Sequence, residues 1–262
     1  MPMRRRWTDG TRLFANGNQQ DVNDAFYSML GACDEVDLRA FWQTEVGRDV
    51  RSQSRVAYTT PFWKIFGSLT REEVTCQACG KSIVTHAVRS TYTIVLPQDD
   101  APDSSHTIEA LFMNQLGNEP LGTAEQPDTC DEDIANPHLS GCNAKNARQK
   151  STEILTSAPV LVLHVLRFRE VNRRPVKLGT HVDFETILPP IAGTSPYDLR
   201  AVVEHRGLQW DPTSTNAGHY VAFVRAQDSR WYECDDARSP RPRTVEEVRR
   251  AQAYMLFYER RD

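Results

Sequence analysis

Five short apolar segments in the C-terminal half constrain the fold more than any other feature of the sequence. All five are rich in β-branched and aromatic residues, which favour strands. They read VLVLHVLRF, YDLRAVVEH, HYVAFVRA, RWYEC and YMLFYER, and begin at Val160, Tyr197, His219, Arg230 and Tyr254. Turn-forming sequences such as DPTSTNAG and AQDS separate them. We therefore predict a mainly antiparallel sheet from about residue 151 onward.

Helical patterns mark three further segments. Residues 107–116 place apolar side chains at helical spacing and end before Gly117. Residues 244–251 carry acids first and arginines last, the order that the helix dipole favours. Residues 20–31 put four apolar side chains on one face, namely Val22, Phe26, Met29 and Leu30. We predict a helical N-terminal part and an α+β fold class.

Length and composition exclude several kinds of protein. The 262 residues suffice for a single domain with its own core. The net charge of -4 does not provide the excess of positive charge that nucleic-acid binding requires. The start, MPMRRRWTDG, lacks the apolar stretch of a secretory signal. The longest apolar run, residues 159–166, is shorter than the roughly 20 residues that cross a bilayer. We expect a soluble protein of the cytoplasm or nucleus that binds neither nucleic acid nor membrane.

Two of the six cysteines have a spacing that is typical of metal ligands, and two more are candidates for the same site. Cys76 and Cys79 form the knuckle CQACG, which presents two thiolates to one tetrahedral ion such as zinc. Cys130 and Cys142 are candidates for the second pair, although eleven residues separate them. His138, inside that insertion, is an alternative to Cys130 as the fourth ligand. The other interpretation is that the knuckle has decayed and these cysteines are small core residues.

The two remaining cysteines are predicted to be structural. Cys33 follows the first helix without a neighbouring histidine or a glycine-rich turn, so its sequence context does not favour a nucleophile. Cys234 directly precedes Asp235 in a predicted strand, where successive side chains face opposite sides.

His219 is the histidine whose surroundings favour catalysis. The glycine before it allows close approach of another backbone, and the apolar strand after it can hold the ring. A histidine that acts as a general base needs a carboxylate to fix its tautomer. A hairpin through the AQDS turn can bring Asp235 or Asp236 beside His219. Composition alone does not distinguish such a dyad from a solvated turn.

Together, GHYVAF, WYECDDARS and AYMLFYER resemble the histidine box of the ubiquitin-specific proteases, the papain-like cysteine deubiquitinases. GNQQDVNDAFYSML resembles the QQDxxEF helix of that family, CQACGKS its first zinc knuckle, and CNAKNARQKSTEILTSAPVLVLHVLRF its second knuckle and LxRF strand. The resemblance implies a papain-like hand in one domain, with thumb helices (1–70), zinc-ribbon fingers (71–158) and an antiparallel palm sheet (159–262).

The resemblance also implies roles for individual residues. His219 matches the catalytic histidine, Asp235 the residue that orients it, and Asp236 a second acid that assists at the oxyanion stage. The implied reaction is hydrolysis of the amide or isopeptide bond after the last glycine of ubiquitin, whose Leu-Arg-Gly-Gly tail suits a narrow groove with acidic groups. Structural zinc is the implied cofactor, and residues 207–217 match a blocking loop near the tail. The implied substrate-binding positions are Asp21, Arg167, Phe168, Gly218 and Tyr220.

One part of the family's pattern is missing from the chain as given. In the family, a box that contains glycine and asparagine and ends in the nucleophilic cysteine precedes the QQDxxEF helix. Here the residues before that helix contain no cysteine. Three hypotheses follow: an active deubiquitinase whose nucleophile segment is absent from this chain, a noncatalytic ubiquitin-binding protein, or a protease for another ubiquitin-like modifier.

Overall fold

The computed structural model describes residues 21–31, 61–97, 106–123, 126–130, 141–171, 174–191, 194–207 and 218–261. Within these ranges the helices are α1 (22–31), α2 (Pro61–Phe66), α3 (Ile108–Leu116) and α4 (Val245–Arg249). No helix of the described ranges is long and apolar enough to span a membrane. Cys33, His138 and residues 208–217 of the predicted blocking loop lie outside the described residues.

The strands of the described residues follow in chain order. They are β1 (Ser68–Cys76), β2 (Ser82–Arg89), β3 (Tyr92–Val95), β4 (His106–Thr107), β5 (Glu119–Pro120), β6 (Arg148–Thr156), β7 (Val160–Leu166), β8 (Phe168–Val171), β9 (Arg174–Lys177), β10 (Val182–Asp183), β11 (Ile187–Leu188), β12 (Tyr197–Gly207), β13 (Gly218–Arg225), β14 (Trp231–Cys234), β15 (Arg241–Arg243) and β16 (Ala253–Arg260).

Two sheets organise the molecule. The palm sheet has the order β15-β14-β13-β12-β16-β7-β3, with β11 paired to β12, and it is antiparallel except where β3 runs parallel to β7. The fingers sheet has the order β2-β1-β6-β5 and is antiparallel. Two small two-stranded pairs, β4 with β10 and β8 with β9, complete the topology of the described residues.

Apolar side chains cover both faces of the palm sheet at its centre. On one face, Leu163 and Leu256 pack with Phe112 of α3 in the main core. On the other face, Val162 and Met255 pack with Phe26 and Leu30 of α1 in a second cluster, against which Phe62 and Phe66 of α2 also pack. Burial on both faces explains why β7 is apolar without alternation, and each such side chain stabilises the fold by about 1.5–3 kcal/mol.

The predicted helices and the five C-terminal strands are confirmed, with ends shifted by a few residues. Their caps agree with the sequence: Thr107 accepts a hydrogen bond from the Ala110 amide at 3.2 Å, and Thr244 forms a capping box with Glu247. The fold class, α+β with antiparallel sheets, is confirmed as well.

The prediction that the N-terminal part is helical is wrong for residues 68–95, which form three strands. The sequence of β1, SLTREEVTC, carries charged residues on both sides and has little apolar alternation. Its strand structure depends on partners distant in sequence, since β1 pairs with both β2 and β6. Such pairing is invisible in a short window of sequence.

Candidate active site and metal centre

A β-hairpin brings His219 and Asp235 together. His219 is the second residue of β13, and Asp235 directly follows β14. The strands pair antiparallel with Ala222 opposite Cys234, so the start of β13 and the end of β14 lie side by side. His219 Nε2 lies 2.5 Å from Asp235 Oδ1. The predicted hairpin between His219 and Asp235 is therefore present in the structure.

Both oxygens of the Asp235 carboxylate are engaged. Oδ1 contacts His219, and Oδ2 accepts a hydrogen bond from Arg238 Nη1 at 2.7 Å. The hydrogen bond with His219 is the main cause that holds the pKa of Asp235 below its usual range, and the Arg238 charge adds to it. An ionised carboxylate held at both oxygens fixes the orientation of the imidazole ring.

The opposite ring nitrogen of His219 is left available for chemistry. Nδ1 lies 3.8 Å from Asp236 Oδ2, which is longer than a hydrogen bond. The His219 side chain is 41 % exposed and that of Asp236 is 80 % exposed. Asp236 has a φ of 49°, in the left-handed region that aspartate tolerates. The arrangement can accept a proton at Nδ1 from a group on the solvent side.

Asp21 lies in a cluster of tyrosines that joins α1 to the palm. Its Oδ1 accepts the Asn23 amide at 2.7 Å at the start of α1, while Oδ2 accepts Tyr220 Oη at 3.3 Å and also Tyr254 Oη. Burial, followed by the neighbouring Asp21 carboxylate, raises the pKa of both tyrosines. Asp21 and Tyr220, two of the predicted substrate-binding residues, therefore contact each other.

Gly218 is packed against the neighbouring strand. A Cβ at this position would lie 2.3 Å from His205 Nε2 and 2.7 Å from the Arg206 carbonyl oxygen. His205 is buried, and its ring packs against Phe168 at 5.2 Å and Tyr220 at 4.8 Å between centroids. Desolvation is the main cause that lowers the pKa of His205 to about 4, so the ring is neutral at ordinary pH.

Arg167 does not lie on a surface that a substrate can reach. Its side chain is fully buried, and the guanidinium donates to the carbonyl oxygens of Ala253, Leu178 and Thr180 at 2.7, 3.2 and 2.7 Å. The expectation that Arg167 contacts substrate directly is not met in this structure, because its donors hold three chain segments together. Phe168 next to it is half-buried against His205 and Tyr254.

Cys76, Cys79, Cys130 and Cys142 form one cluster, with their sulfur atoms all within 4.8 Å of one another. The Cys76 and Cys142 Sγ atoms lie 3.7 Å apart, and those of Cys79 and Cys130 3.9 Å apart. Four sulfurs bound tetrahedrally at the usual Zn–S distance of about 2.3 Å would be separated by about 3.8 Å. The geometry therefore fits a metal ion, with Cys130 as the fourth ligand of the described set.

A tight turn shapes the first cysteine pair, and antiparallel pairing of the chain shapes the second. Gly80 has a φ of 73°, and its amide donates to the Cys76 carbonyl at 2.8 Å. Cys130 and Cys142 meet because the chain pairs antiparallel there, with a bridge between Thr129 and Lys145. Their separation in sequence is thus no obstacle to a shared site, since the Asn143 amide donates to the Cys130 carbonyl at 3.0 Å and holds the two positions side by side.

Comparison with known proteins identifies the family. Residues 3–258 match the family described as ubiquitin carboxyl-terminal hydrolase, and the chain belongs to this family. The family is one of deubiquitinases, and the resemblance found in the sequence is confirmed.

Individual relatives agree with this assignment. Human ubiquitin carboxyl-terminal hydrolase 17-like protein 12 is 29 % identical over 252 residues, which cover 94 % of this chain and 42 % of that protein. The 17-like protein 5 of the same species is 28 % identical over the same coverage. The chain thus spans less than half the length of these relatives.

Solved structures show the same fold. The SAGA Ubp8/Sgf11/Sus1/Sgf73 DUB module bound to ubiquitin aldehyde superposes with a TM-score of 0.69 at 20 % identity, covering 97 % of this chain and 52 % of that one. The module bound to monoubiquitin gives a TM-score of 0.70 at 20 % identity, covering 97 % and 51 %. The papain-like deubiquitinase fold is therefore confirmed.

Three residues of the site were missed from the sequence. Arg238 contacts Asp235 from three positions downstream. The one feature of the sequence that indicates this contact is the i, i+3 spacing of the two residues. His205 reaches the site from β12 through its register with β13, and Tyr254 reaches it from β16 at a point where the register with β12 shifts. A strand residue's neighbours across the sheet cannot be read before the pairing is known.

Proposed function

We propose that this chain carries the general-base half of a thiol-dependent deubiquitinase, which hydrolyses the amide or isopeptide bond after the C-terminal glycine of ubiquitin. The observation that carries the proposal is the 2.5 Å contact between His219 Nε2 and Asp235 Oδ1, which leaves Nδ1 on the exposed side. His219 accepts the thiol proton at Nδ1 and later donates it to the leaving amine. Asp235 stabilises the imidazolium formed in between.

Ubiquitin as the substrate is supported by the family and by relatives of known structure that are bound to ubiquitin aldehyde and to monoubiquitin. Asp21, Phe168, Gly218 and Tyr220 border the region next to His219 and form the proposed wall of the tail groove. Asp236 is proposed to assist when negative charge develops on the carbonyl oxygen. The proposed subcellular localisation of the protein is the cytoplasm and nucleus.

The nucleophilic thiol is the part of this reaction that the described residues do not supply. Four of the five cysteines among them belong to the metal cluster, and the fifth, Cys234, does not join the group formed by His219, Asp235 and Asp236. We propose that the thiol comes from a segment outside the described residues. Intact mass of the protein purified from its own cells determines which residues that polypeptide contains.

The test is hydrolysis of a fluorogenic C-terminal amide of ubiquitin by the protein purified from its own cells and by variants expressed there. His219→Ala is expected to lower kcat/KM by about 10³-fold, and Asp235→Asn by about 10²–10⁴-fold with little change in ubiquitin affinity. Arg200→Gln removes an exposed palm residue that pairs with Glu259, and serves as the control that keeps wild-type rates.

Two other outcomes would assign the alternatives. Ubiquitin binding without hydrolysis, unaffected by His219→Ala, identifies a noncatalytic ubiquitin-binding protein. Faster hydrolysis of the amide of another ubiquitin-like modifier identifies that modifier as the substrate instead.

We further propose that the cysteine cluster holds a structural zinc ion. Two of its four sulfur ligands belong to buried residues, Cys76 and Cys130, and the sulfur separations match tetrahedral coordination. Elemental analysis is expected to give about one equivalent of zinc per chain, falling well below half in Cys130→Ser. Cys234→Ser is the matched control and keeps the metal; equal zinc in both variants would contradict the assignment.

A further inference from the structure

A cavity lies at the end of the palm sheet opposite to His219. Its volume is about 450 Å³, and it is bordered by the end of β13, the start of β14, the end of β15 and the residues that follow β16. His219 and Arg225 are six residues apart on β13, so the cavity is roughly 20 Å from the dyad. Ligands there would not contact the proposed catalytic residues.

Four arginines line this cavity, together with a single acidic lining residue, Asp198. Three of them form ion pairs: Arg230 with Asp228, Arg243 with Glu233, and Arg261 with Asp198. The side chain of Arg225, the fourth, makes no hydrogen bond or ion pair within the described part of the chain, although its charge is among the causes that lower the pKa of Asp198. Since the lining holds four arginines and one carboxylate, an excess of positive charge remains at the cavity wall.

Sheet register places two of the arginines on the same face as a tryptophan. Arg225 is paired with Trp231, and Trp231 is paired with Arg243, so the three side chains form a row across β13, β14 and β15. Trp231 is buried, whereas Arg225 and Arg243 are half-buried. Partial burial strengthens the field of these guanidinium groups and limits the rotamers available to them.

The rest of the cavity wall is mixed, with the hydroxyl residues Thr186 and Ser229 beside an apolar part. Ile187 is 45 % exposed, and Pro242 and Val245 also border the cavity. An exposed apolar surface next to the Arg225 guanidinium, which forms no ion pair in the described ranges, suits a ligand that carries an anionic group and an apolar group side by side. The volume lies within the range of about 300–1,000 Å³ that small-ligand sites span, and one phosphate ion would leave much of it unfilled.

We propose that this cavity binds a phosphorylated peptide segment. The phosphoryl group contacts Arg225, whose planar guanidinium can donate two hydrogen bonds to it, with Arg243 and Arg261 at its sides. An apolar side chain next to the phosphorylated residue packs on Ile187 and Pro242. A phosphoryl group carries close to two negative charges at neutral pH and three acceptor oxygens, which suits several arginines better than one carboxylate does. This site is independent of the proposed hydrolysis.

The test is fluorescence anisotropy with a labelled five-residue peptide in which phosphoserine is flanked by leucines. The same peptide with serine or glutamate is the comparison. Loss of a charge-assisted contact corresponds to about a tenfold to hundredfold weaker affinity, which is the difference expected between the phosphoserine and serine peptides. This comparison uses the unmodified protein and needs no variant.

Variants locate the site. Arg225→Gln is expected to weaken the phosphopeptide about tenfold, and Arg225→Lys to weaken it less, because the charge is kept and the planar fork is lost. Arg71→Gln removes the same charge from the fingers sheet, where Arg71 pairs with Glu73, and should leave the affinity unchanged. His219→Ala should also bind normally, which separates this proposal from the proposed hydrolysis.

Equal affinity for the serine and phosphoserine peptides would overturn the proposal. Displacement of the phosphopeptide by inorganic phosphate at the peptide's own concentration would show that the apolar wall contributes nothing, and would contradict a peptide ligand. Equal weakening by Arg71→Gln and Arg225→Gln would show a net-charge effect instead of a site.

Discussion

At the scale of single residues, His219 depends on how tightly the chain around it is packed. Gly218 leaves space that His205 and the Arg206 carbonyl fill, while Asp235 is held by contacts at both oxygens. The position of the His219 ring is therefore set by the packing of Gly218 against β12 and by the hydrogen bonds of Asp235. A displacement of about 1 Å at such a site is costly to catalysis.

Gly218→Ala is expected to destabilise the protein by about 1–3 kcal/mol, the usual cost of overpacking. The added methyl group would meet His205 and backbone, and the backbone oxygen cannot rotate away. Denaturant unfolding measures the loss. Gly31→Ala is the matched control, since a Cβ there would meet nothing within 4 Å. Equal stability of the two variants would show that β12 and β13 separate at little cost.

The sequence predicted the dyad because its parts lie close together along the chain. His219 and Asp235 are 16 residues apart and are joined by one short hairpin. Gly218, although predicted to allow close approach, gave no indication that His205 is the approaching group. The burial of Arg167 was also unpredicted, because its acceptors Ala253 and Thr180 lie 86 and 13 residues away.

At the scale of elements, Asp21 fastens α1 to the palm. It caps the helix through the Asn23 amide and accepts two tyrosine hydroxyls from β13 and β16. The second apolar cluster supplies the rest of the attachment through Phe26 and Leu30. Tyr220 connects this attachment to the site, since it adjoins His219 in the chain.

Asp21→Ala is expected to destabilise the protein by about 2–4 kcal/mol, from a lost helix cap and two lost hydrogen bonds to a charged acceptor. The two tyrosines should then ionise at lower pH, because the Asp21 carboxylate, after burial, helps to raise the pKa of both. Ultraviolet titration follows the tyrosines and denaturant unfolding follows stability. Asp24→Ala, an exposed acid of the same helix, is the control. An unchanged tyrosine titration would contradict the contact.

Elements with a strong local pattern were predictable, and those defined by distant pairing were not. α3 and α4 carry their caps within their own sequence, and β7 and β16 are apolar over most of their length. The strand β1 is held by an eight-residue register with β2 and by pairing with β6, which is distant in sequence. Their propensity alone is too weak to identify them.

At the scale of the whole molecule, the palm and fingers sheets differ in how they are held. The palm strands β7 and β16 contain fully buried side chains on both sides of the sheet, and β12 contributes Tyr197, Leu199 and Val202 to the main core. The fingers sheet exposes much of both faces, and the cysteine cluster lies where β1 and β6 meet. Local stability is therefore expected to be highest in the palm.

Hydrogen exchange is expected to be slowest in β7, β12 and β16. Removal of zinc with a chelator should increase exchange in β1, β6 and residues 76–80 while leaving the palm protected. Mass spectrometry of peptic fragments measures both. The zinc-free Cys130→Ser variant should reproduce the chelated pattern without chelator. Uniform loss of protection across both sheets would show that they unfold as one unit.

The positions of the four cysteines along the chain matter for folding as well as for stability. Cys76 precedes β3 and Cys142 follows it, 66 residues later, so an ion shared by them closes a ring that contains β3 and α3. Closing a long loop removes much of the freedom of an open chain, and each doubling of the loop adds only about 0.6 kcal/mol to the cost. The proposed ion would keep a detached β3 within a closed loop of the chain. The return of β3 to the palm sheet would then require a search through fewer conformations than in an open chain.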